Sequence, residues 1–144
     1  MIRRLFLLFA LAASCSAHAL DFKSLNENAI VYDGGSTKAT PLFILLKGTP
    51  VEVITTVDNW VKIREQSGGL GWVSSSVVGN TRAVIVTTPV AQVRSQPSDT
   101  ASVTFSVEKN VLLEPIEKAP GAWLKVKHRD GQSGYILLKS VWGF

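Results

Sequence analysis

Two segments of the sequence repeat one arrangement of side chains that could bind a ligand. Each has a tryptophan followed at alternate positions by two cations: Trp60, Lys62, Arg64, and Trp123, Lys125, Lys127. In a β-strand, residues two apart point to the same face, so the ring and both cations would share one side. An indole face can stack on a sugar or a peptide plane, and the cations attract carboxylates. Trp72 and Tyr135, each after a glycine, would extend this outward surface.

The same pattern also fits a purely structural role. Each tryptophan could fold over the end of a small domain as a partly buried lid, leaving solvated cations beside it. The C-terminal Trp142-Gly143-Phe144 is expected to cap its own domain in a comparable way. The sequence leaves both interpretations of the tryptophans open.

Residue types that perform catalysis are scarce. A cysteine nucleophile needs a neighbouring histidine, and catalytic zinc needs about three protein ligands. Without its first 19 residues the chain has no cysteine and one histidine, His128. Asp130 lies two residues on, but no serine has the setting of a nucleophile elbow, so a solvated histidine at a hairpin end is expected. The sequence predicts no catalytic residue, no metal site and no cofactor.

The N-terminus has the three parts of a secretory signal peptide. Two arginines precede the apolar run Leu5–Ala13, and Ala17-His18-Ala19 is a small-x-small cleavage site. As a helix the run would be about 14 Å long, which is too short for a hydrocarbon core of about 30 Å. We therefore expect a cleavable signal helix over residues 1–19, cleavage after Ala19, and a periplasmic or secreted protein. Lipid anchoring through Cys15 is the alternative.

The charge of the remaining chain is nearly balanced. Loss of the two arginines lowers the Lys and Arg count from 15 to 13, against 11 Asp and Glu. Binding to a phosphate backbone needs clustered Lys and Arg, so no nucleic-acid partner is expected.

The chain after the signal repeats itself. Val31 aligns with Val93 at an offset of 62, and after one inserted residue Trp60 aligns with Trp123 and Gly71 with Gly134. We infer two domains, 22–82 and 83–144. Alternating β-branched and aromatic residues predict five strands in each. They are Ala29–Tyr32, Leu42–Leu46, Pro50–Val57, Trp60–Arg64 and Leu70–Ser74, then Ala91–Ser95, Val103–Val107, Val111–Glu117, Trp123–His128 and Ser133–Leu137.

These strands predict an all-β fold. A small closed barrel removes the exposed edges that so small a sheet tolerates poorly, so each repeat is expected to form one. Asp130-Gly131 predicts a two-residue hairpin turn. The link near Thr81–Ile85 is short and apolar, which favours two barrels that pack together.

The second repeat opens with Gln92-Val93-Arg94-Ser95-Gln96-Pro97-Ser98 and continues with Trp123-Leu124-Lys125-Val126 and Gly134-Tyr135-Ile136. This order resembles bacterial SH3-like (SH3b) domains, and the first repeat is similar except at its opening. The resemblance implies two tandem SH3-like barrels and a non-catalytic module outside the cytoplasm, often tied to cell-wall peptides or glycans. Its expected partner is peptidoglycan or, alternatively, an envelope protein. The Pro and Tyr of a polyproline groove are missing, so proline motifs are not the expected ligand.

Overall fold

The computed structural model describes residues 19–144. The predicted signal peptide lies almost entirely in residues 1–18, outside the described part, so its helix and the lipidation of Cys15 stay predictions. Within the described residues, no helix has the length and apolar character that crossing a bilayer requires.

The chain forms two seven-stranded antiparallel sheets, one after the other. The strands of the first are β1 Phe22–Leu25, β2 Ala29–Tyr32, β3 Pro41–Leu45, β4 Pro50–Val57, β5 Trp60–Arg64, β6 Leu70–Ser74 and β7 Val78–Gly79. Those of the second are β8 Val84–Val86, β9 Val90–Arg94, β10 Val103–Glu108, β11 Leu112–Ala119, β12 Trp123–Lys127, β13 Ser133–Leu137 and β14 Val141–Trp142. Short 3₁₀ turns at Ser75–Val77 and Leu138–Ser140 precede the last strand of each sheet. The all-β fold is confirmed.

Both sheets have the same strand order. It runs β3-β2-β6-β5-β4-β1-β7 in the first and β10-β9-β13-β12-β11-β8-β14 in the second. Each curls around its own aliphatic core, because alternate residues point inward in β2, β5 and β6 of the first sheet and in β9 and β13 of the second. The first core contains Val31, Ile63 and Val73, and the second contains Val93, Leu124 and Ile136.

Hydrogen bonds do not close either sheet into a complete ring. Within the described residues β3 pairs with β2 and with no other strand, and β10 pairs in the same way with β9 alone. The expected removal of all edges is therefore not realised. Each sheet keeps two end strands, β3 and β7 in the first and β10 and β14 in the second.

The link between the sheets is shorter than expected. Val84–Val86, assigned in part to the linker, forms β8, whose three residues are all buried. β7 ends at Gly79 and β8 begins at Val84, and we propose that the domains divide between residues 82 and 83.

The two sheets contact each other, as the apolar link predicted. Phe22 and Trp142 pack edge to face with ring centroids 5.0 Å apart. The Gln66 side-chain amide donates a hydrogen bond to the Asn110 side chain at 3.2 Å. Trp142 was expected to cap the second domain. It also reaches the first, and this contact joins the two barrels.

The hairpin loop between β12 and β13 differs from the predicted two-residue turn. The His128 N–H donates to the Gln132 carbonyl, and the Gly131 N–H donates to the His128 carbonyl. Gly131 has a φ of +95°, whereas Asp130 does not take positive φ. Three residues thus form the turn, with glycine at the one left-handed position.

Candidate functional site

An aromatic cluster covers the outer face of the first sheet. The rings of Tyr32 and Trp60 meet edge to face, with centroids 5.5 Å apart. Lys62 Nζ lies 6.0 Å from the centroid of Trp72, at the outer limit of a cation–π contact. Val61 and Ile63 point into the core, so alternation leaves Trp60 and Lys62 outward, as predicted.

The loop between β2 and β3 runs close to these rings. A Cβ on Gly35 would lie 3.2 Å from Cε3 of Trp72 and 3.4 Å from Cβ of Trp60. Asp33 fixes the loop, since its carboxylate accepts the Thr40 N–H at 2.8 Å. Because Gly35 has no side chain, the loop can approach the two tryptophans without displacing them.

A groove of about 350 Å³ lies between this loop, β2 and the 3₁₀ turn of the first domain. Its wall is mixed, with aromatic, apolar and polar side chains. The lining residues are Glu27, Asn28, Ala29, Ile30, Tyr32, Thr37, Trp60, Ser74 and Val77. We call this the first groove.

The second domain has a groove of about 380 Å³ at the same place. Its lining residues are Val90, Ala91, Gln92, Arg94, Asp99, Trp123, Leu137 and Ser140. At the repeat offsets of 62 and 63, each of them has its counterpart in the lining of the first groove. We call it the second groove. The repeat therefore preserves the position of a concave site while changing its chemistry.

The chemistry changes most at three pairs of positions. Ile30 corresponds to Gln92, Tyr32 to Arg94, and Thr37 to Asp99. Strand alternation alone could not identify Tyr32, Thr37 and Asp99 as groove residues, because the groove also involves a loop and neighbouring strands. Aligning the loop residues of the two repeats gives the signal that could have found them.

Trp123 is not the outward platform that the sequence suggested. Its side chain is only 7% exposed, whereas Trp60 is half-buried. The residue beside it on the next strand gives a reason: Trp123 pairs with Leu137, and Trp60 pairs with the smaller Ser74. The lid interpretation fits Trp123, and the platform interpretation fits Trp60.

The predicted cations differ in whether a carboxylate of the same domain already pairs with them. Arg64 Nη1 lies 2.7 Å from Glu52 Oε2, so its guanidinium already has a carboxylate within the domain. Lys125 Nζ lies 3.9 Å from Glu117 at the surface, where such pairs contribute little. Lys127 is exposed and Tyr135 is half-buried, and neither lines the second groove. Of the predicted residues, Trp60, Lys62 and Trp72 come together.

Arg94 of the Val-Arg-Ser opening holds its own loop. Its guanidinium donates 2.7 Å hydrogen bonds to the Ala101 carbonyl and to the Gln92 side chain. The loop of residues 95–102 is thereby fastened to β9. Tyr32 occupies the matching position of the first domain, where it packs on Trp60 instead.

Within the described part of the chain, no three His, Cys, Asp or Glu side chains cluster as metal ligands would. His128 Nδ1 lies 3.0 Å from Asp130 Oδ1, as the sequence suggested for this pair. The Gln132 backbone N–H and then its side-chain amide donate to Asp130, and these bonds lower the Asp130 pKa to about 2, with a smaller contribution from His128. The carboxylate thus serves the turn.

We expect Gln132→Ala to raise the pKa of Asp130 only part of the way to its ordinary value of 3.8, because the backbone donor remains. Since the folded pKa lies below the unfolded one, this carboxylate stabilises the fold above about pH 4, and the contribution is lost as pH falls towards 2. Titration of the side-chain carboxyl carbon by NMR measures both pKa values. A wild-type value near 3.8 would show that the Gln132 bonds are absent in solution.

Comparison with known proteins gives matches to families and to solved structures. No curated protein matches the chain. Structural similarity is found to NlpC2 of Trichomonas vaginalis, with 16% identity, a TM-score of 0.41, and 88% of this chain and 49% of that one covered. NlpC1 of the same organism is 19% identical with a TM-score of 0.40, and the match covers 94% of this chain and 50% of that one. An NlpC/P60 family protein of Bacillus cereus ATCC 10987 is 14% identical with a TM-score of 0.36, and the match covers 85% of this chain and 56% of that one.

This chain spans about half the length of these neighbours, and at such scores they say nothing about its ligand. The family matches are of another kind. A bacterial SH3 domain model matches residues 27–79, and a second one matches residues 88–143. Such domains are generally binding modules. The chain belongs to the bacterial SH3 domain family and contains two such domains in tandem.

Proposed function

We propose that this protein is a non-catalytic module that acts in the periplasm or outside the cell and binds peptide or glycan of the cell wall. The observation that carries the proposal is the groove repeated at the same position in both domains. Concave sites with aromatic walls and a few polar groups are the usual form of a ligand site. The location outside the cytoplasm depends on the signal sequence of residues 1–19.

The first groove suits a ligand with a flat apolar face and a positive group. Tyr32 and Trp60 supply half-buried aromatic surface, on which a sugar ring or a peptide plane can stack. Glu27 at the same groove is exposed and would attract a ligand ammonium group. Lys62, on the same face as Trp60, would meet a carboxylate. Peptidoglycan offers sugar faces together with both kinds of charge.

The second groove suits a more polar ligand segment. Gln92, Arg94 and Asp99 replace the less polar side chains of the first groove, and Trp123 is buried behind them. Arg94 is already engaged by the Ala101 carbonyl and by Oε1 of Gln92, which leaves Asp99 and the Nε2 amide of Gln92 to face the ligand. Two unlike grooves in one chain would favour a ligand whose two contacted segments differ in charge.

Retention on purified peptidoglycan tests the proposal. Trp60→Ala removes the aromatic wall of the first groove, and we expect at least a tenfold loss of retention, since central aromatic residues of interfaces carry about 2 kcal/mol or more. Ile116→Ala is the matched control, because Ile116 is an exposed apolar residue that lines neither groove. Ile116→Ala should be retained like the wild type.

No retention of the wild-type protein, or equal retention of all three proteins, would overturn the cell-wall proposal. The alternative is an envelope protein as ligand of the same grooves. Crosslinking in cells distinguishes a cell-wall ligand from an envelope protein. An envelope protein as ligand predicts one stoichiometric protein adduct, and Trp60→Ala should abolish that adduct.

A further inference from the structure

The outer side of the β2–β3 hairpin in the first domain exposes a row of aliphatic side chains. Ile30 and Ile44 are paired across the two strands and are 45% and 63% exposed. Leu42 lies at the β-bulge of this strand pair and Leu46 directly follows β3, and they are 48% and 65% exposed. We call Ile30, Leu42, Ile44 and Leu46 the β3 face. It is the kind of contiguous apolar surface that marks an interaction site.

The second domain provides an internal control for this face. At the offset of 62, the four positions hold Gln92, Thr104, Ser106 and Glu108, all exposed. The same fold thus forms with polar side chains at all four places. The aliphatic residues of the first domain are therefore not required by the barrel.

The backbone of β3 is also free on one side. In the described residues β3 pairs with β2 alone, so the N–H and C=O groups of its alternate residues have no strand to meet. Such an edge is a template for another strand. Pro41 begins β3, where a missing N–H is tolerated, and the residues after it leave the ladder open.

The free backbone decides between a membrane and a protein as occupant. An open sheet edge placed in hydrocarbon would leave its polar groups unsatisfied, and such edges are not found there. An added strand would satisfy these groups and bury the β3 face at the same time. The partner is therefore a polypeptide in extended conformation.

The charges around β3 indicate which kind of polypeptide could pair with it. Lys38 and Lys47 lie on either side of the strand, both exposed, and no acidic residue occurs between positions 34 and 51. The carboxylate of Asp33 is engaged by the Thr40 N–H. In an antiparallel pair of two copies, Lys38 of one would lie near Lys47 of the other, and facing like charges destabilise strand pairs. A second copy of this chain is disfavoured.

The carboxylate of Glu65, beside the same edge, is also engaged within the chain. Burial acts to raise its pKa, but hydrogen bonds from the Ser67 hydroxyl and from the N–H groups of Ser67 and Gly69 outweigh burial and lower it.

Beyond Leu46 the aliphatic surface continues into a cavity of about 390 Å³ between the domains, where Ile85 and Leu112 line the opposite wall. An incoming strand thus has an apolar place for a side chain beyond the end of β3.

We propose that the β3 edge adds a strand from a partner protein whose extended segment is apolar at alternate positions and acidic at both ends. This surface is separate from the two grooves, apart from Ile30, which borders the first. The proposal does not depend on what the grooves bind.

The test uses protein purified from cells that express the complete chain and a synthetic peptide of alternating Val and Thr with two Glu at each end. Binding is followed by NMR chemical-shift changes. We expect shifts centred on β3, and at least tenfold weaker binding by the double variant Leu42→Thr with Ile44→Ser. These residues come from the second domain, where they are compatible with the fold.

Two further peptides test the mode of binding. N-methylation at alternate residues removes the backbone donors and should abolish binding. Replacing the terminal Glu by Lys should weaken binding by about threefold to tenfold, because attraction to Lys38 and Lys47 becomes repulsion and each exposed ion pair contributes only modestly. Trp60→Ala should bind the peptide like the wild type, which keeps this result distinct from that of the cell-wall assay.

Several outcomes would overturn the proposal. They are binding that survives N-methylation, equal binding of the Lys peptide, and shifts located away from β3. Sedimentation with vesicles of phosphatidylglycerol and phosphatidylethanolamine, lost in the double variant, would assign the face to a membrane. A dimer in analytical ultracentrifugation that the double variant abolishes would assign it to a second copy.

Discussion

Leu124→Ala is expected to destabilise the second domain by about 2–5 kcal/mol, the usual cost of truncating a fully buried leucine. Leu124 has no exposed surface and lies on the central strand β12, opposite Ile136. A domain of this length has roughly 3–9 kcal/mol of stability in total, at about 0.05–0.15 kcal/mol per residue. Leu124→Ala would therefore remove much of the stability of the second domain.

Urea unfolding followed by far-UV circular dichroism measures this loss. Leu70→Ala provides the control, because Leu70 is 47% exposed and the same change there should stay within about 0.5 kcal/mol. If the contact between Phe22 and Trp142 couples the barrels, both should unfold together in Leu124→Ala. A midpoint for Leu124→Ala no lower than that of Leu70→Ala would contradict the assigned core.

Strand alternation was enough to predict the central part of each sheet. The bounds of β4 are those expected, although its residues pass from buried to exposed along the strand. The bounds of β2, β5, β6 and β13 are also those expected, because their residues alternate between more buried and more exposed positions. β8 was missed for the opposite reason. Val84–Val86 are all buried, so no alternation distinguishes this strand from an apolar link. β7 and β14 have two residues each, too few to establish any period.

For the candidate site, the sequence could predict which face of a strand each residue occupies, but not which residues lie beside it on other strands. Alternation placed Trp60, Lys62 and Trp72 on an outer face, and the structure brings them together there. It could not distinguish Trp60 from Trp123, because their difference lies in a neighbour on another strand, Ser74 or Leu137. The open edge at β3 depends on strand order, which a single sequence does not reveal.

Gly134→Ala is the second change for which we expect a large effect. Gly134 lies in β13, next to the position where that strand pairs with β9. A Cβ there would lie 2.6 Å from the Arg94 carbonyl oxygen and 2.7 Å from Cγ1 of Val93. A methyl side chain can rotate away from neither atom. We expect a cost of at least about 1–3 kcal/mol, typical of overpacking, because a backbone atom must move.

The first domain has the same requirement at Gly71. A Cβ on Gly71 would clash with Cγ1 of Val31 and would lie 3.2 Å from the Tyr32 carbonyl oxygen. The closest obstacle in the first domain is therefore a side chain, whereas in the second it is a backbone oxygen. The glycine of the repeated Gly-aromatic-aliphatic segment is thus required for the close approach of two paired strands, and its recurrence says nothing about ligand binding.

The control for Gly134→Ala is Gly34→Ala. A Cβ on Gly34 would meet only Cβ of Ala39 at 3.5 Å, an ordinary contact, and Gly34 does not take positive φ. Replacing such a glycine restricts the unfolded chain and changes stability by about 0.4–1 kcal/mol in the favourable direction. The melting temperature should therefore fall in Gly134→Ala and rise in Gly34→Ala, each compared with the wild type. Equal melting temperatures would mean that β9 and β13 are farther apart than the structure places them, and the second groove, which Arg94 borders, would then have a different shape.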